Sequence, residues 1–178
     1  MNLRPLLVLT ILSVAACAAP TDDDPQAEAP DSTGEGEDAL TSSQASAVIA
    51  KARAEIGVPY SWGGGGPSGP SYGTAQGAHT RGFDCSSLMQ FAFYQGAGKK
   101  IPRVTYDQWN AGTRLAFTHR SPGDLIFYHN KDHVALYVGR DKPGGTEYII
   151  EAPHTGAKVQ LVPITYPGTP MSTVVRFN

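Results

Sequence analysis

Two cysteines and five histidines carry most of this chain's capacity for covalent chemistry. Cys85 stands in Phe83-Asp84-Cys85-Ser86-Ser87-Leu88, where a glycine-rich stretch gives way to a helical pattern. His133 opens an apolar strand pattern, and His154 lies in a turn just after another. A thiol, a base and a residue to orient that base are the parts of a cysteine nucleophile.

A cysteine at the first turn of a helix meets unpaired backbone N–H groups and the positive end of the helix dipole, and both favour thiolate. The same N–H groups can hold a tetrahedral oxyanion. His133, leading a strand of a sheet packed on that helix, is placed to act as general base. His154, in Glu151-Ala152-Pro153-His154-Thr155-Gly156, can fix the tautomer of His133 if the two strands are neighbours. His79, His119 and His129 lack such settings and read as surface or loop residues. Each candidate has a plainer alternative: a core cysteine, a histidine closing a sheet edge, an exposed turn histidine.

Apolar residues at Ala45, Val48, Ile49, Ala52 and Ile56 fall three and four apart, which predicts an amphipathic helix from Ser42 to about Gly57. Thr41, Ser42 or Ser43 can cap it, and Gly57 with Pro59 can stop it. From Gly63 to Gly82 runs a loop of about twenty residues, long for a compact domain, and therefore either a functional flap or a floppy excursion. A second helix is expected from Cys85 to Gln95, apolar on most sides and so central, ended by Gly96 and Gly98. A shorter one follows over Val104 to Ala111. The second half turns to short β-branched and aromatic runs: Asp124–Tyr128, His133–Val138, Glu147–Glu151, Val159–Ile164 and Thr173–Phe177. Helices first and consecutive strands afterwards predict an α+β domain, with an antiparallel sheet of about five strands on the central helix. Trp62, Tyr106 and Trp109 read as core or groove-wall aromatics.

Residues 1–16 have the layout of a secretory signal, with Arg4 followed by the apolar run Leu6 to Leu12 and then small residues. Cys17 directly follows Val14-Ala15-Ala16, which resembles a bacterial lipobox and predicts lipidation of Cys17. Cys85 is then a free thiol in an exported protein, a liability unless it has a task. Residues 17–41 form an acidic linker without aromatic or basic side chains, expected to be disordered. The linker holds eight of the chain's sixteen acidic residues, and Arg4 is the one basic residue before the domain. The domain over 42–178 therefore carries thirteen basic against eight acidic side chains, beneath an overall charge of −2. That sign suits an acidic polymer, and export argues against nucleic acid.

Five ordered segments now combine: Gly57-Val58-Pro59-Tyr60-Ser61-Trp62-Gly63-Gly64, Phe83-Asp84-Cys85-Ser86-Ser87-Leu88, Ile101-Pro102-Arg103, Pro122-Gly123-Asp124-Leu125-Ile126-Phe127 and His133-Val134-Ala135-Leu136-Tyr137-Val138-Gly139. From about Ser43 to Phe177 the chain resembles the NlpC family, papain-like bacterial cysteine peptidases acting on the cell wall. The resemblance implies a papain-like fold, with Cys85 as nucleophile, His133 as base and His154 as orienting residue. It further implies a role for Tyr60 near the oxyanion, and for Asp84 and Ser86 in receiving the substrate's polar end. The implied target is a peptidoglycan stem peptide, usually cut between γ-D-glutamate and the following diamino acid. Two features depart from the family pattern: Ser87 stands where glycine is usual, and the stretch from Gly65 to Arg81 is long.

Metal chelation is a poor fit, since no His or Cys pair has short ligand spacing, and Gly63 to Gly66 lack the lysine of a phosphate-binding loop. The expectation is a monomeric, exported thiol endopeptidase of peptidoglycan, needing no cofactor or metal and held to a membrane through Cys17. A wall-binding protein on a degenerate enzyme fold, an acyltransferase or amidase, and an antibacterial effector are the alternatives.

Overall fold

The computed structural model describes residues 40–178; the predicted signal segment, Cys17 and all but the end of the predicted linker lie outside the described residues. Helix α1 spans Ser42–Ala54 and begins with a capping box. Thr41 Oγ1 accepts from the Gln44 N–H at 3.2 Å, and Gln44 Oε1 accepts from the Thr41 N–H at 3.0 Å. The helix ends at Ala54, three residues short of Gly57, whose left-handed φ of 96° belongs to the turn that follows.

Helix α2, Cys85–Ala97, is the centre of the domain. Leu88, Met89, Phe91, Ala92 and Phe93 are all buried, as its all-round apolar pattern requires. Each of the larger of these side chains contributes about 1.5–3 kcal/mol by leaving water. Gly98 closes the helix in a left-handed conformation. Gly96 does not terminate it. It lies inside the last turn, where a Cβ would stand 2.6 Å from both the Cα and the N of Val48, so glycine here lets α1 and α2 touch backbone to backbone.

The main sheet has six antiparallel strands in the order β3-β8-β4-β5-β6-β7. They are β3 Thr113–Ala116, β4 Leu125–Tyr128, β5 His133–Arg140, β6 Glu147–Glu151, β7 Gln160–Pro163 and β8 Thr173–Arg176. The five predicted strands correspond to β4–β8; β3, an edge strand after the short helix α3 (Thr105–Ala111), is an addition. Alternation along the strands separates two faces. Val134, Leu136, Ile150 and Val175 pack with α2, while Ala135, Tyr137, Ile149 and Val174 pack with Ile126 and Tyr128 on the other side. The five predicted strands, the central helix and its position under the sheet make this an α+β, papain-like fold. Among the described residues no helix is long and apolar enough to cross a membrane.

The long loop between α1 and α2 is tied down. It contains a two-residue hairpin, β1 Ser71–Tyr72 with β2 Arg81–Gly82. The buried Ser61 hydroxyl is in hydrogen-bonding reach of the carbonyls of Gly77 and Thr80, at 3.2 and 2.7 Å. Gly73 and Gly77 press against the Trp62 backbone with no room for a side chain.

Candidate active site

Cys85 is the first residue of α2 and is only 9% exposed, yet it lines a groove of about 1050 Å³. His133, Glu151, Tyr60 and Arg103 line the same groove. Backbone amides of Val134, Ser86 and Cys85 itself favour the ionised sulfur, which sets it beside the start of β5, one residue from His133. Two of these donors are orphan amides of the first helical turn, as the sequence predicts. They do not make the thiol acidic. Burial above all, and then the Asp84 carboxylate, push it up to about 12. Burial thus opposes the thiolate that the helix terminus alone favours.

His133 lines the same groove with its ring held in place. Its Nε2 lies 2.6 Å from Oε2 of the buried Glu151. A carboxylate oxygen accepts, so Nε2 carries the hydrogen and Nδ1 is left as the free, basic nitrogen of the ring. The other oxygen, Oε1, accepts from Gln160 Nε2 at 2.9 Å, so both oxygens of the buried carboxylate are engaged.

The partner of His133 is thus Glu151, whereas the sequence reading assigns that place to His154. His154 also lines the groove, but it is exposed and its Nδ1 faces the Thr155 carbonyl at 3.0 Å. Strand parity explains the exchange. His133 is two residues before Ala135 and Glu151 two after Ile149, and Ala135 and Ile149 share one sheet face across the neighbouring strands β5 and β6. His154 comes after β6 has ended and beyond Pro153, out of that register. A glutamate finishing an apolar strand is the signal that could have marked Glu151, because a buried carboxylate demands a partner.

Asp84 caps α2 and at the same time builds the groove wall. Its Oδ1 accepts from the Ser87 N–H at 2.8 Å and from the Ser86 hydroxyl at 3.1 Å. Arg103 donates to both carboxylate oxygens, at 3.0 and 2.7 Å, and also to Ser86 Oγ at 3.1 Å and the Gly64 carbonyl at 2.9 Å. Arg103 was visible only as part of a sequence segment; its ion pair across nineteen residues has no periodic signature. Ser87, in place of the usual glycine, is fully buried and completes a capping box by accepting from the Asp84 N–H at 3.0 Å. Gly65 opposite, with φ of 78°, leaves room for it: a Cβ there would come within 2.6 Å of the Ser87 hydroxyl.

Tyr60 is held by its N–H to the Ala157 carbonyl at 2.9 Å. Burial, and next the negative charge that Cys85 and Asp84 can carry, raise its phenol well above the usual value, so it stays an O–H donor at working pH. Trp62, 55% exposed, and His129, read from sequence as a surface residue, also line the groove, as does Tyr166 at 63% exposure. Trp109 instead packs edge-on against Phe127.

The high position of the Cys85 thiol has a measurable consequence. In His133→Asn, which keeps an N–H for Glu151, alkylation of Cys85 by iodoacetamide at pH 7 should slow by at least about a hundredfold. The rate should then climb about tenfold per pH unit through the alkaline range, because the thiolate fraction of a group with a raised pKa grows that way below its midpoint. Peptide mapping of the labelled site measures it. A variant labelled at pH 7 as fast as the parent would mean that the sulfur ionises unaided.

A papain-like α+β domain with a thiol, an imidazole and a buried carboxylate converging on one groove defines the class. The NlpC/P60 family model matches residues 57–175, and the chain belongs to that family. It is 44% identical over 129 residues to the peptidoglycan endopeptidase RipB of Mycobacterium tuberculosis, covering 71% of this chain and 51% of RipB. RipA of the same organism, also a peptidoglycan endopeptidase, is 41% identical over 133 residues, 73% of this chain and 26% of RipA. The chain therefore spans between a quarter and about half the length of these curated relatives. The solved RipB structure aligns with a TM-score of 0.66 at 41% identity, over 75% of this chain and 64% of that one. Solved RipA structures altered at a cysteine, at a histidine and at a glutamate each align with a TM-score of 0.67 at 38% identity, over 75% of this chain and 62% of theirs. RipD of M. tuberculosis, described as a non-catalytic NlpC/p60 domain protein adapted to peptidoglycan binding, aligns at 0.65 with 38% identity, over 75% of this chain and 96% of RipD.

Proposed function

We propose that this protein is a peptidoglycan endopeptidase of the cysteine type, cutting stem peptides between γ-D-glutamate and the following diamino acid. The observation that carries the reading is the 2.6 Å bond from His133 to the buried Glu151 in the groove that Cys85 lines. His133 Nδ1 takes the thiol proton as sulfur attacks the γ-carbonyl. The oxyanion that forms is held by the amides at the start of α2, with the Tyr60 hydroxyl as a further donor. The imidazolium, steadied by Glu151, gives its proton to the departing amine, leaving a thioester on Cys85. Water activated by His133 then attacks the thioester, and the thiol regains its proton. The signal pattern and Cys17 support export and a lipid anchor, which would put the domain at the wall.

A non-catalytic, wall-binding role is the second reading, favoured by the likeness to RipD. Against it stands the complete set of Cys85, His133 and Glu151 in one groove. Incubation with defined disaccharide tetrapeptides, followed by mass spectrometry, separates the two. The expected products are a disaccharide dipeptide ending in D-glutamate and a free dipeptide beginning with the diamino acid. Cleavage at any other bond would overturn the assigned specificity; binding without products would establish the non-catalytic reading.

A further inference from the structure

The turn between β4 and β5 has three consecutive non-glycine residues in the left-handed region, His129, Asn130 and Lys131, with φ of 48°, 54° and 78°. Asparagine and histidine visit that region more readily than lysine does. Such runs persist when their surroundings impose them and gather at functional sites. Here the Asp132 N–H closes the turn onto the His129 carbonyl at 3.2 Å, and the Lys131 ammonium stands over the rings of Tyr106 and Trp109, 5.2 and 5.8 Å from their centroids.

The result is a carboxylate at the groove, next in the chain to His133. Three carboxylates line the groove. Asp84 is clamped by Arg103, and Glu151 by His133 and Gln160. Asp132 is exposed and has no side-chain hydrogen bond or ion pair among the described residues. The nearest cation in sequence, Lys131, is engaged by the aromatic rings of α3 instead. With Arg103 neutralised by Asp84, the uncompensated fixed charge at the groove among the described residues is the negative charge of Asp132.

We propose that Asp132 is a specificity-determining residue that receives a cationic side chain on the leaving side of the scissile bond. Such a side chain is the free terminal ammonium of a diamino acid. His133 must protonate the leaving nitrogen, so the residue carrying that nitrogen lies beside His133, and Asp132 is one Cα step away. A charge-assisted bond to an ammonium drawn into the groove is stronger than an exposed surface pair. This assignment rests on the endopeptidase reading for its substrate, though not for its test.

The test uses γ-D-glutamyl-L-lysyl-D-alanine and the same peptide acetylated on the lysine ε-amine. Binding of both is measured by calorimetry in Cys85→Ala and in Cys85→Ala/Asp132→Asn, and cleavage of both by the parent and by Asp132→Asn. The free amine should be preferred about tenfold with Asp132 present, and the ratio should fall to about one with asparagine. Raised salt should narrow the preference. Equal binding, or none, of the two peptides to Cys85→Ala overturns the proposal, and so does a preference that survives Asp132→Asn. If the parent cleaves neither peptide, the endopeptidase reading fails, while the binding ratio still decides the role of Asp132.

Discussion

Cys85→Ala should reduce the release of soluble peptides from purified sacculi by about 10⁴-fold or more, while melting within a few degrees of the parent protein. The loss is large because the whole covalent route passes through one sulfur, and removing a nucleophile leaves only binding and oxyanion stabilisation. The fold should survive because position 85 is the first of α2, where alanine is a good helix former, and the change removes only one small buried group. The Asp84 cap that starts the helix uses the Ser87 amide and not the cysteine side chain. Release near the parent rate would show that the nucleophile lies elsewhere.

A comparison of Glu151 with His154 should give the second-largest effect and resolve which residue orients His133. Glu151→Gln keeps the volume and one acceptor but removes the charge that steadies the imidazolium, and kcat/KM should fall by about 10- to 100-fold. His154→Ala should change kcat/KM by less than about threefold, since that ring is exposed and bonded only to the neighbouring Thr155 carbonyl. Glu151→Ala goes further. It opens a cavity and strips His133 and Gln160 of their shared acceptor, so a stability loss of about 2–4 kcal/mol should accompany the lost activity. Chemical denaturation and steady-state assays on the three variants measure both quantities. If His154→Ala were the crippling change and Glu151→Gln were benign, the orienting role would pass back to His154.

The architecture was legible because its signals are local. Three- and four-residue spacing marked α1, an all-round apolar pattern marked α2, and β-branched runs between glycines and prolines marked β4 to β8. Strand β3 was missed because Thr113-Arg114-Leu115-Ala116 is a mostly polar edge that forms by pairing with β8. The hairpin of β1 and β2 is two residues deep and has no periodicity to detect. Gly96 looked like a helix stop, but the approach of Val48 that requires it comes from another helix.

That Cys85 and His133 share one groove was readable from their positions at the starts of a helix and of a strand. The identity of the third residue was not, because it depends on register. Glu151 and His154 are three residues apart, and only the pairing of β5 with β6 decides which one faces His133. Arg103 and His129 depend likewise on tertiary contacts, the first with Asp84 and the second through a left-handed turn that composition does not announce. The sequence also pointed to a thiolate, since a helix terminus is visible in a sequence and the depth of burial that opposes it is not.

Asp84 ties together duties that other folds distribute among several residues. One carboxylate starts the helix that aims the sulfur and also anchors the guanidinium that shapes the adjoining wall. Substitution there cannot reshape the groove wall without tilting Cys85 as well. On the proposed reading, what the groove accepts is set by the surrounding loops, around Trp62, Asp132 and Thr155, which line it without capping α2.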